Sequence, residues 1–311
     1  MVSSETVIRV LAAADRLGYK PNAVAQGLRR QRSQTVGVLI PDLTNAMFPP
    51  IVRGIENTLA PRGFTALLAN TDNDEYKERR AFEAFRARQV DGFIFATARR
   101  EHGLIQEAFD LKIPSVLANR LTDVALFPWV AGDDDSGVAQ IIRHLVGLGH
   151  KRIAHIAGPQ NVSAGFSRAK SFRRYVDLYG LGVMNCPVIQ GTAFDTESGV
   201  VGAREVLHHF PGVTAIVCAN DMIAVGALGA LREAGLSCPG DMSIVGFNDM
   251  ELAKDLAPSL TTVSVPLQGF GEQAAQILLN ELSGQEFEKE VLLPVHLVER
   301  ESSGPHVPSR P

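Results

Sequence analysis

Short β-branched and aromatic runs alternate with helical segments along most of this chain, and that alternation limits the fold more than any other feature of the sequence. TVGVLI (35–40), FTALLAN (64–70), GFIFAT (92–97) and SVLAN (115–119) have the composition of buried parallel strands. Helical segments run between them, as over Tyr76 to Arg88 and His102 to Leu111. After a crossover near residue 149 the pattern repeats: KRIAHIAG, a helix over Arg168 to Tyr179, TAIVCAN, a helix over Asp221 to Ala234, and SIVGFN. Two successive βαβα stretches predict an α/β chain of two doubly wound parallel-sheet lobes. Such sheets bind ligands at the carboxyl ends of their strands, so the pocket is expected between the lobes.

The chain has 311 residues, enough for two domains with a core each. No apolar run approaches the ~18 residues of a membrane-spanning helix, and MVSSETVIRV lacks the basic-then-apolar order of a secretory signal. The three cysteines, Cys186, Cys218 and Cys238, are odd in number and without CxxC spacing. A cytoplasmic location without membrane contact is therefore expected. HExxH, GxSxG and the Walker phosphate loop are all missing, and the eight histidines show no metal-ligand pairing. No enzyme activity, catalytic residue, metal or cofactor is expected. Gly269-Phe270-Gly271-Glu272-Gln273-Ala274 matches the GxGxxA dinucleotide fingerprint, but the residues after it lead to a linker and no second βα unit. It is read as a tight strand-to-helix connection.

Charge divides the chain unevenly. Residues 1–34 carry six basic side chains (Arg9, Arg16, Lys20, Arg29, Arg30, Arg32) against Glu5 and Asp15, whereas the remainder has 24 basic and 32 acidic. A basic arm on an acidic body suits contact with a phosphate backbone. Within it, Ser3 or Ser4 caps a helix whose apolar stripe is Val7, Val10, Leu11, Ala14 and Leu17; Gly18 and Pro21 end it. The stripe has no upstream helix to pack against. The segment from Pro21 to Arg30, capped by Asn22 and interrupted by Gly27, is too short to be helical alone. It is either a plain linker or a helix that orders in a DNA minor groove with Leu28 as wedge.

LGYKPNAVAQGLR (17–29) followed by TVGVLIPDLTN (35–45) resembles the lac-repressor (LacI/GalR) family of bacterial transcription regulators. GLGHKRIAHIAGP (147–159), ANDMIAVGALGALREAG (219–235), GDMSIVGFND (240–249), PSLTTVSVP (258–266) and LVERESS (297–303) extend the resemblance over essentially the whole chain. It implies a helix-turn-helix headpiece, a hinge helix and a core like that of periplasmic sugar-binding proteins. Residues 1–34 would be the last headpiece helix and the hinge helix, the earlier headpiece helices lying outside this sequence. The first lobe would comprise 35–148 with 267–294, the second 149–266 with 295–304, and 305–311 a flexible tail. Crossings between lobes are expected near 148–150, 265–267 and 293–295.

The resemblance also implies a function: an effector-responsive repressor of a sugar or related metabolite operon, acting as a homodimer on a pseudo-palindromic operator. Hinge contacts to DNA would fall on Asn22, Ala25, Leu28 and Arg29. Effector contacts would fall on Arg168, Phe194, Asn220 and Asn248 of one lobe and Asn45, Phe48 and Leu267 of the other. A guanidinium with amides can bracket sugar hydroxyls while an aromatic face covers the ring. Each residue also has an ordinary reading: Phe194 as core, Asn220 as the N-cap before Asp221, Asn248 as a turn former. Ser171 stands where the family has glycine, and Asp133-Asp134-Asp135 near its usual Asp-Asn. A stand-alone sugar-binding module with the same core is the competing expectation.

Overall fold

The computed structural model describes residues 3–16 and 33–306. The hinge candidates Asn22, Ala25, Leu28 and Arg29 and the end of the tail lie outside the described residues. The first helix, α1 (Ser4–Arg16), has Glu5 in its first turn, and the Ser3 hydroxyl accepts from the Thr6 N–H at 3.3 Å. On its apolar stripe Val7 and Val10 are exposed.

The body holds two six-stranded sheets. The first joins β1 (Thr35–Ile40), β2 (Thr65–Asn70), β3 (Gly92–Phe95), β4 (Ser115–Ala118), β5 (Trp129–Gly132) and β11 (Glu290–Leu293), in the order β11-β5-β4-β3-β1-β2. All its pairs are parallel, with Val38 opposite Leu68 on one side and Ile94 on the other. The second joins β6 (Ile153–Ala157), β7 (Val188–Gln190), β8 (Ala215–Cys218), β9 (Ser243–Asn248), β10 (Thr261–Ser264) and β12 (His296–Val298), in the order β12-β10-β9-β8-β6-β7. It is parallel except at its edge, where β12 runs antiparallel to β10. The central strands are buried on both faces, the cause of their continuous apolar sequence.

Alternate residues of β1 serve opposite layers: Val36, Val38 and Ile40 join one cluster, while Leu39 packs with Phe82, Phe93 and Phe95 in another. Phe82 belongs to α3 (Glu75–Ala87), and α4 (Gly103–Asp110) supplies Leu104 and Ile105 to the same layer. The opposite face is covered by α2 (Phe48–Leu59) and α9 (Leu267–Ser283), which also pack on each other. In the second lobe α7 (Thr196–His209) and α8 (Asp221–Glu233) cover one face. The other is covered by α5 (Asp134–Gly147) and α6 (Ser163–Leu178). No helix among the described residues is long and apolar enough to cross a membrane.

Three details differ from the sequence reading. The first crossing between lobes falls at Asp133, before α5 and not at 148–150, because Val138, Ile141, Ile142 and Leu145 of α5 pack with Phe172, Val245 and Val263 of the second lobe. Gly137 permits that contact: a Cβ there would lie 2.6 Å from the Phe247 ring. The chain crosses again between β10 and α9 and between β11 and β12. Second, α6 begins at Ser163, five residues ahead of Arg168. Third, the GxGxxA run is not a strand-to-helix connection but lies inside α9. A Cβ on Gly271 would run into the carbonyl of Ile51, and one on Gly54 into that of Gln268, so these glycines let α2 and α9 touch backbone to backbone.

Candidate functional site

The carboxyl ends of both sheets face one cleft. From the first lobe come Asn45 and Met47, between β1 and α2, Phe48, which opens α2, and Asn119 and Arg120, directly after β4. From the second come Val162 and Ala164 beyond β6, Arg168 on α6, Phe194 beyond β7, Asn220 beyond β8, and Asn248 at the end of β9. Together they line one cleft that is partly open to solvent. The lobes also touch beside it. The Arg100 N–H donates to the Asn161 carbonyl at 2.9 Å and its guanidinium lies 3.7 Å over the Phe166 ring, while the Leu121 N–H donates to the Ser163 hydroxyl at 2.9 Å.

Six of the seven effector candidates thus line a single cavity. The seventh, Leu267, does not; it opens α9 and packs into the core with Val265 and Phe270, held by its N–H to the Val265 carbonyl at 2.8 Å. Met47, Asn119 and Arg120 were not singled out by sequence. The position of Asn119 and Arg120 at the carboxyl end of a predicted buried strand was the available signal.

Arg168 is fully engaged by the protein on two of its nitrogens. Its Nε donates to Asp134 Oδ1 at 2.8 Å and its Nη1 to the Ala219 carbonyl at 2.6 Å, and the guanidinium lies 3.7 Å over the Phe247 ring. The side chains of the pair are 5% and 18% exposed, so this is a buried ion pair in the cleft wall. The three neighbouring acids have separate tasks. Asp133 caps α5 by accepting from the Ser136 N–H, Asp134 holds Arg168, and Asp135 accepts from Ser171 and Tyr175 and pairs with Arg174. Burial pushes the Asp135 carboxyl up, but the hydrogen bonds from Ser171, Tyr175 and Arg174 outweigh it and hold it below the usual range. Ser171 therefore faces this acid, away from the cavity lining.

Asn220 has both its ordinary and its cleft role. Its Oδ1 accepts from the Ile223 N–H at 2.9 Å, capping α8, and its Nδ2 donates to the Phe194 carbonyl at 3.2 Å. Asn248 is different. It sits at φ 114°, is 3% exposed, and its Nδ2 reaches only the Met47 sulfur at 3.5 Å across the cleft. Its Oδ1 is buried with no partner. Behind it Asp221 ties the wall together, accepting from the Met250 N–H at 2.7 Å and the Thr262 hydroxyl at 2.5 Å. Burial pushes its carboxyl up to about 7 despite those two donors.

An orphaned amide oxygen, capping and cleft-lining amides and two buried guanidinia thus line a cleft between two parallel-sheet lobes: the class is a two-lobed protein with a periplasmic-binding-protein-like core. The comparisons agree. A family model described as a periplasmic binding protein-like domain matches residues 142–303. A ribose operon repressor of Halalkalibacterium halodurans is 31% identical over 97% of this chain and 89% of its own length. The HTH-type transcriptional regulator DegA of Bacillus subtilis is 32% identical over 98% of this chain and 91% of its own. Among solved structures, the lac repressor dimer bound to operator and the anti-inducer ONPF aligns with a TM-score of 0.87 at 27% identity, over 98% of this chain and 92% of that one. A LacI family regulator from Enterococcus faecium with bound ribose aligns with 0.78 at 29% identity, over 88% and 100%. The chain belongs to the lac-repressor (LacI/GalR) family of transcriptional regulators.

Proposed function

We propose that this chain is an effector-responsive, DNA-binding repressor of a sugar or related small-metabolite operon, acting as a cytoplasmic homodimer. The buried, unpartnered carbonyl oxygen of Asn248 carries the effector half of this reading. Among the described residues with an unpartnered buried side-chain atom, it is the one that lines the cleft, and a ligand hydroxyl is the donor it lacks. Arg168, Asn220, Phe194, Asn45 and Phe48 complete the site, with Phe194 covering a ring face. The ribose-bound relative supports a sugar, and the operator-bound one supports DNA as partner.

The mechanism is a population shift. The cleft is lined by both lobes, so a ligand that bridges it binds the closed arrangement better than an open one. In a two-fold dimer a change in lobe closure alters the spacing of two copies of residues 1–34, and with it their fit to a pseudo-palindromic site through Asn22, Ala25, Leu28 and Arg29. The basic arm supplies backbone contact, so affinity falls steeply with salt.

Selection from random duplex DNA by the purified chain at low salt tests this. Binding should be weak and fall steeply with salt, with any enrichment confined to a short two-fold symmetric motif, and its affinity should change roughly tenfold or more when ribose or another bound sugar is added. Sugar binding with no DNA binding even at low salt would instead favour a stand-alone binding module.

A further inference from the structure

The two guanidinia in the cleft are not equivalent. Arg168 is matched by Asp134, and Arg99 nearby by Glu75 and by Glu78, whose Oε2 lies 3.3 Å from its Nη2. Arg120 has no such match. It is 6% exposed, and its Nη1 donates to the neutral amide oxygen of Asn73 at 2.8 Å. Its guanidinium sits 5.8 Å from the centre of the Phe48 ring. Among the described residues no carboxylate oxygen lies within the 4.0 Å of an ion pair with it. The carboxylates of the wider cleft mouth are occupied elsewhere: Asp42 accepts from the Thr44 N–H and hydroxyl, and Asp195 caps α7 through the Ser198 N–H.

Burial, and then the neighbouring Arg99, push the Arg120 guanidinium down to about 10 against the weaker pull of Glu78 and Asp42. It remains a cation at neutral pH. A buried charge without a counter-charge is unfavourable, and most of the five N–H donors of this fork are unspent. Planar, bidentate capture of carboxylate or phosphate is the chemistry such a fork suits.

Building on the effector-binding reading above, we propose that the effector is itself an anion: a polyhydroxy carboxylate or a sugar phosphate. Its acidic group seats on Arg120 of the first lobe and a hydroxyl donates to Asn248 Oδ1 of the second. A ligand held in this way bridges the cleft by two different chemistries, and a neutral sugar would leave Arg120 unmatched.

Calorimetric titration of the full chain tests this with matched sets: ribose, ribonate and ribose 5-phosphate, and glucose, gluconate and glucose 6-phosphate. The acid or the ester of a set that binds should bind roughly ten- to a hundredfold tighter than its neutral member, and which of the two does so identifies the anion. Arg120→Gln should erase that preference, while Arg120→Lys, which keeps the charge and the fold, should retain part of it. Inorganic phosphate at constant ionic strength should raise the melting temperature of the wild type and leave Arg120→Gln unmoved, whichever sugar skeleton is correct. Neutral and anionic members binding alike would overturn the anion, and a preference that survives in Arg120→Gln would overturn its seat on Arg120; either result leaves the effector cleft standing. No shift with phosphate and no binding by any member would overturn both.

Discussion

Arg168 is held by charge on one side and by a ring on the other, and its environment sets what its loss would do. Truncation removes two hydrogen bonds and the stacking on Phe247 and leaves Asp134 in the wall without its cation. Breaking a buried pair in this way costs about 3–5 kcal/mol, far above the 0–1 kcal/mol of a surface pair. Arg168→Ala should therefore lower unfolding stability in urea by about that amount as well as abolish ligand binding. Arg168→Ala combined with Asp134→Ala should recover part of the stability and none of the binding. A single-mutant loss below about 1 kcal/mol would show that water reaches the pair and screens it. The ordinary readings of the amides divided in an instructive way. Asn220 could be placed as an N-cap from the Asn-Asp that precedes an apolar helix, and it is one, while also lining the cleft. Asn248 looked like a turn former, and only its three-dimensional surroundings reveal the acceptor left bare.

The helix pair α2 and α9 depends on glycine at both crossing points. A Cβ on Gly271 would also come within 2.8 Å of the Ile55 nitrogen, and the obstacle is backbone that cannot turn aside. Gly271→Ala should destabilise by about 1–3 kcal/mol or more, as overpacked cores do. Gly229, inside α8 with nothing within 4 Å of a built Cβ, is the contrast. Gly229→Ala should stabilise by about 0.5–1 kcal/mol through helix propensity. Opposite signs in paired thermal melts are the expected result, and equal signs would refute the backbone-contact account. These glycines show where sequence reading reaches its limit. Strands were legible because burial on both faces demands unbroken apolar runs, and the helices of residues 75–87 and 221–233 because their caps and periodicity are local. The lobe to which α5 belongs is not local information: its apolar face fits either sheet until Gly137 meets Phe247. The GxGxxA run, rejected as a phosphate turn, was misplaced as a strand-to-helix connection for the same reason, since a glycine kept for helix contact and one kept for a tight turn are identical in sequence. Arg120 followed a legible strand, but its lack of a counter-ion is a property of several elements at once.

Across the whole molecule, two buried groups in the second lobe pull stability in opposite directions with pH. Asp221 rises from its ordinary 3.8 to about 7, so between those values the folded chain keeps a proton that the unfolded chain has released. Stability from this group therefore falls as pH rises through that window, by about 4 kcal/mol in all. His155, buried with Nδ1 on the Val217 carbonyl at 2.9 Å and its ring 5.0 Å from that of Phe172, is lowered from 6.5 to about 4 by burial. Between those values the unfolded chain binds the proton, so stability from His155 rises with pH by about 3 kcal/mol. From pH 4 to 6.5 the two slopes oppose each other, and His144 and His150, also lowered by burial, add to the rising side, so single variants are needed to expose the Asp221 contribution. Asp221→Asn removes the falling term. Its stability relative to wild type should improve by about 4 kcal/mol between pH 4 and 7, and its own curve should climb more steeply with pH than that of wild type over this range. Because Asp221 anchors the Met250 N–H immediately behind Asn248, ligand affinity should weaken in the same variant even where stability gains. Urea denaturation of both proteins at half-unit pH intervals measures the difference directly, and a pH-independent gap between the two curves would remove Asp221 as a proton-linked support of the cleft.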